Sequence, residues 1–182
     1  MKTDEKVNII LKYAEKLKGI KYNKWKGYDT GTRVYPFYLD EVPCITYIKK
    51  HGINCVGMIN LMVQQVGLKT PGKGIHRGGP NAWYYYLKSK GKIEKFDDSK
   101  DYPIGTLFLR RYKTEHDRGH VAVYCKHNKK CLYGEIIHSY YLVKPEDSKL
   151  GETTLGFCHF WQIAKDKGYF EFASLPDQWL NE

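Results

Sequence analysis

The chain has 182 residues, enough for one domain, spanning 1–182, that buries its own core without metals or disulfides as staples. Apolar residues at 42% and charged residues at 27% are ordinary for a soluble globular protein, and no apolar run approaches the length a membrane-spanning helix needs. The 30 Lys and Arg against 20 Asp and Glu leave a net charge of +10. Such a field favours anionic partners, but the lysines are scattered and no sequence-reading nucleic-acid motif accompanies them.

In chain order, Thr3 followed by Asp4 and Glu5 opens a helix whose apolar face is Val7, Ile10, Leu11, Ala14 and Leu17, with Gly19 as its stop. A Tyr- and Gly-rich connection runs from Tyr22 to about Gly52 and reads as loop with short extended pieces. From Cys55, the positions Met58, Ile59, Met62, Val63 and Val66 recur at helical spacing until Gly67, predicting a second, central helix. A loop from Thr70 to Pro80 leads to a short helix over 81–90 with Trp83, Tyr86 and Leu87 turned inward. After Pro103 the pattern changes to strands over 106–112, 120–127, 130–141 and 156–163, with a further strand over 168–172. A closing turn over 175–180 should plug Trp179 into the core. Helices first and an antiparallel meander afterwards predict an α+β domain.

Five cysteines (Cys44, Cys55, Cys125, Cys131 and Cys158) at irregular spacings argue against a disulfide framework and for a reducing compartment. The opening MKTDEKVNII lacks the apolar core of a secretory signal. Both point to a cytoplasmic setting, or to a virion or host cytoplasm if packaging or lysis delivers the chain there.

Cys55 lies between the Gly52-Ile53-Asn54 loop and the first turn of the apolar helix. There the positive end of the helix dipole and free backbone N–H groups lower a thiol pKa, and the same N–H groups can stabilise an oxyanion. The plainer reading is a buried cysteine that packs at a core helix start. A nucleophile also needs a base. Of seven histidines, His120 stands at the start of the Val121-Ala122-Val123-Tyr124 strand, and His138 near the end of the next, so a hairpin could join base and orienter.

Five short stretches, in order, strengthen this reading. Tyr13-Ala14-Glu15-Lys16-Leu17-Lys18-Gly19-Ile20-Lys21-Tyr22 resembles the opening helix and turn of the NlpC-type cell-wall peptidases. Asn54-Cys55-Val56-Gly57-Met58 resembles their Asp-Cys-Ser-Gly-Leu nucleophile motif, and Pro103-Ile104-Gly105-Thr106-Leu107-Phe108 their Pro-Gly-Asp-Leu strand. Gly119-His120-Val121-Ala122-Val123-Tyr124 is similar to their His-Val-Gly-Ile-Tyr strand, and Ile137-His138-Ser139 to their Ile-His-Ala. The resemblance implies a permuted papain-like fold, with a helical layer bearing the Cys packed on a small antiparallel sheet bearing the His pair. It implies a cysteine peptidase or amidase with Cys55 as nucleophile, His120 as base, His138 as orienter and Tyr22 and Asn54 near the oxyanion or substrate. No cofactor is implied, and the substrates it suggests are peptide, cell-wall or acyl compounds, anionic ones favoured by the charge.

Two departures stand out. Asn54 and Val56 replace the family's Asp and Ser, removing the carboxylate that meets a substrate's free amino terminus. The segment over 27–52 is an inserted loop, of the kind that shapes a binding groove. The arrangement is most similar to an uncharacterised branch of the family in large DNA viruses. Rival readings are an acyl thioesterase or acyltransferase on the same scaffold, and a non-catalytic virion or binding protein. A zinc site from Cys125, His127 and Cys131 with His116 or His120 fits no usual ligand spacing.

Overall fold

In the computed structural model, residues 1–17, 20, 46, 49, 52–71, 79–114, 119–126, 135–139, 153–155 and 169–181 are described. Most of the inserted loop, Tyr22 and the strand expected over 156–163 lie outside them.

Helix α1, Thr3–Lys16, begins where the sequence places it: Asp4 and Glu5 sit in the first turn, and the Glu5 carboxylate accepts the Lys2 backbone N–H at 3.0 Å. Its buried face is Val7, Ile10 and Ala14. Helix α2, Cys55–Gln64, is buried along residues 55–63, because its apolar side chains meet α1 on one flank and the sheet on the other. A helix apolar all round is stable only in such a sandwich. Helix α3, Pro80–Ser89, starts with proline at its first position, where the missing N–H costs nothing.

Among the described residues the strands that follow are β1 (Glu94–Lys95), β2 (Leu107–Arg110), β3 (His120–Lys126), β4 (Glu135–Ser139), β5 (Thr153–Leu155) and β6 (Phe172–Ser174). A short helix, α4 (Pro176–Trp179), follows β6. The strands form one antiparallel sheet in the order β1-β6-β2-β3-β4-β5. The sheet is therefore α+β as expected, but it departs from a simple meander: β6 returns to lie between β1 and β2. Strand β1, polar and two residues long, and β5 were not anticipated, and β6 begins four residues later than the sequence suggested.

Strand β2 also stops early, for a local reason. The Arg111 backbone N–H goes to the Glu171 carboxylate at 2.8 Å, and that of Tyr112 to the Asn81 side chain at 2.8 Å. Side chains thus take the groups that would have extended the ladder.

Alternation along β2 and β3 divides the core. Leu107, Leu109, Val121 and Val123 pack with α1 and α2, while Phe108, Ala122 and Tyr124 pack on the other face with Tyr102, Phe170 and Ala173. The second cluster is held by rings meeting edge to face or tilted, Phe108 with Tyr102 at 5.1 Å and with Phe170 at 5.4 Å between centroids. The first is closed by α4: Trp179 is buried, and its indole N–H donates to the Gly105 carbonyl at 2.8 Å. Gly105 has φ +90°, and a Cβ there would lie 2.7 Å from a Val7 methyl, so the approach needs glycine.

Candidate active site

Cys55 is the first residue of α2 because Asn54 ends the preceding extended segment and caps the helix, its side-chain oxygen accepting the Gly57 N–H at 2.7 Å. Asn54 is itself buried. The residue singled out for a substrate role thus has its side-chain oxygen engaged in fixing the helix start.

The sequence leads one to expect a lowered thiol pKa at this position. The structure shows the reverse. Burial raises Cys55 from 9.0 to about 11, while the backbone N–H groups of Val121, Val56 and Cys55 itself pull it back only in part. The thiol shares its cluster with Ile53, Val56, Met58 and Val121, and loss of water outweighs the helix terminus.

A raised folded-state pKa for a thiol means that the folded protein holds its proton where the unfolded chain releases it. The resulting stability is full below about pH 9 and is lost as pH rises towards 11. Comparing urea unfolding of the wild type and Cys55→Ala from pH 8 to 11 should show a shallower alkaline loss in the variant, by on the order of 2 kcal/mol. Iodoacetamide at neutral pH should meanwhile modify half-buried Cys125 ahead of Cys55. Parallel alkaline curves would show that Cys55 titrates as an ordinary thiol.

His120 opens β3 and is buried. Gly119 before it has φ +71°, and a Cβ there would lie 2.6 Å from backbone atoms of Arg110 and Tyr112, so the turn delivering His120 to the sheet is fixed by backbone contact. The His120 ring lies 6.1 Å from Tyr169 and 6.4 Å from Phe170, centroid to centroid. Cys55 meets the same strand through Val121, the next residue. The nucleophile candidate is therefore beside the backbone of β3, while the His120 ring packs with Phe170 on the other face of that strand.

His138 lies on β4, which pairs with β3 through Val123 opposite Ile137, so the two histidine-bearing strands are neighbours as the hairpin reading requires. The register between the two strands shifts between Tyr124 and Lys126. Tyr22, His116, His127 and Cys131 lie outside the described residues. Among the described residues no cluster of three or more His, Cys, Asp or Glu could hold a metal ion, and no helix is long and apolar enough to cross a membrane. Sequence reasoning placed Tyr169 and Phe170 in a strand over 168–172 and missed them as neighbours of His120; the structure sets them just before β6.

No family model matches the chain, and no curated protein does. Among solved structures, it is similar to one from Staphylococcus aureus described as similar to lipoprotein, NLP/P60 family, with a TM-score of 0.46 and 18% identity. The match covers 88% of this chain and 39% of that one, so this chain spans about two-fifths of its neighbour's length. A likeness at that level carries nothing about activity.

Proposed function

We propose that this protein is a cysteine hydrolase that cleaves an amide or isopeptide bond through a thioacyl intermediate on Cys55. The observation that carries the reading is the placement of the Cys55 sulfur at a helix start and against the Val121 N–H of the strand that His120 opens. Because the His120 ring packs on Phe170, on the other face of that strand, the reading requires the imidazole to swing to the sulfur from the strand's first position. The order of the sequence motifs around these residues supports it as well. In this reading His120 takes the thiol proton as the sulfur attacks the carbonyl, and later gives it to the leaving amine, while His138 orients the imidazole. Water then releases the acyl group and restores the thiol. The raised pKa of Cys55 gives this a specific form: the resting nucleophile is the neutral thiol, and proton removal accompanies attack instead of preceding it. N–H groups beside the sulfur would receive the oxyanion. A reducing, cytosol-like setting suits such a thiol.

The substrate follows from what flanks the nucleophile. Asn54 is neutral at any pH, and its oxygen already serves Gly57. A substrate ammonium group placed there would lose its partner, at a cost of about 1–3 kcal/mol, or roughly 10- to 100-fold. Peptides with an acetylated amino terminus should be cleaved faster than the same peptides with a free one, and the preference for acidic peptides should weaken with salt. A clear preference for the free amine would show that another carboxylate replaces the missing aspartate.

A further inference from the structure

The residues around His120 form a connected arrangement that the motifs do not contain. Arg110 and His120 are direct partners across the β2–β3 ladder. The Arg110 guanidinium carbon lies 4.0 Å from the Tyr169 ring centroid, at stacking distance, and Tyr169 in turn meets the imidazole edge to face. Phe170, buried, lies nearly parallel to the imidazole at 27° and packs against Tyr169 at 5.2 Å.

This aromatic segment is itself anchored. The Glu171 backbone N–H donates to the Leu109 carbonyl at 2.9 Å, and the Glu171 carboxylate accepts the Arg111 backbone N–H and pairs with Lys113 at 2.9 Å. Residues 169–171 are therefore tied to β2 through the backbone and through a cation resting on a ring, and to the residues just after it through an ion pair. An imidazole on Cα–Cβ and Cβ–Cγ bonds turns freely unless its faces are held, and a general base misplaced by about 1 Å loses about 100-fold in rate.

We infer that Tyr169, pinned by Arg110, is a positioning residue that fixes the ring orientation of His120. This rests on the role proposed above for His120, and adds that the orientation is set from the aromatic side as well as by any partner on β4. The aromatic face is what acts, because Tyr169 meets His120 as a ring. Tyr169→Phe should therefore keep the effect, whereas Tyr169→Leu, which fills similar volume without a ring, should lose it.

The test has two arms on the full chain. In the first, the ring-proton resonances of His120 are followed by NMR in wild type, Tyr169→Phe and Tyr169→Leu, a reading that needs no catalysis. They should stay near their wild-type positions with Phe and move, with broadening, with Leu. In the second, kinetics on an acetylated peptide should show kcat lowered by about 10- to 100-fold in Tyr169→Leu, with KM within about twofold and near-complete rescue by Phe. Unmoved His120 resonances in folded Tyr169→Leu would overturn the inference whatever the activity. So would an equal loss in Phe and Leu, since the hydroxyl would then be responsible. Absence of hydrolysis in the wild type would count against the proposed function alone, and the first arm would still decide the role of Tyr169.

Discussion

Cys55→Ala should reduce turnover by about 10⁴-fold or more while leaving the thermal midpoint near neutral pH within about 2 °C of wild type. The asymmetry follows from the site. The thiol is small and buried, so its removal leaves a void of one atom in a cluster that α1, α2 and the sheet hold independently. The proposed covalent route, by contrast, disappears with the sulfur. Cys55→Ser sharpens the result: a hydroxyl can occupy the same position against the Val121 N–H but is a poorer nucleophile in this setting, so it should rescue little. Mass spectrometry of the wild type with a slowly deacylating ester should find the acyl group on the peptide containing Cys55. Retention of a tenth of the activity in the alanine variant, or an adduct on Cys125, would remove Cys55 from the mechanism.

The largest loss of stability is expected at Trp83. Its side chain is 1% exposed, its indole N–H donates to Asn60 on α2 at 2.9 Å, and its ring meets Trp179 and Tyr86 edge to face at 6.1 and 6.0 Å. It thus joins α3 to both α2 and α4. Trp83→Ala removes the ring contacts and leaves the amide oxygen of buried Asn60 without that donor. Together these effects should cost about 3–5 kcal/mol, read as a fall in the urea midpoint without a change in slope. Trp83→Phe, which keeps most of the ring but not the donor, should cost roughly half. A loss below about 1 kcal/mol for the alanine variant would mean that α3 is not anchored through this side chain.

Much of this core was legible from periodicity. The rows Val7-Ile10-Ala14 and Met58-Ile59-Met62-Val63 gave α1 and α2 because steps of three and four recur along a run too long for a typical strand. Trp179 was readable as a plug because it stands alone among turn residues. The end of β2 was not readable, because it depends on Glu171 and Asn81 reaching Arg111 and Tyr112 from distant parts of the chain. The placement of β6 was hidden for the same reason: strand order is settled by long-range pairing, which leaves no local mark.

At the candidate site the residue types were visible and the balance of forces was not. A cysteine at a helix start suggests an acidic thiol, but how far water is excluded depends on Val121 and the sheet, far downstream in the chain. The ring contacts of His120 were equally silent, since Tyr169 and Phe170 lie far from it in sequence.

The position of β6 also bears on how the protein is made. Strands β1 and β2 leave the ribosome early but are not hydrogen-bonded neighbours of each other; the strand that joins them, Phe172–Ser174, is synthesised some sixty residues after β2. Until it emerges, β2 has an open edge, and the aromatic cluster around Phe108 lacks Phe170 and Ala173. A nascent chain in that state exposes both unpaired backbone and rings, the two features that invite association with other chains. Translation stalled or terminated before residue 175 should therefore release aggregation-prone fragments instead of a smaller folded unit, since residues 179 and 180 must still reach back to Gly105 and Lys6.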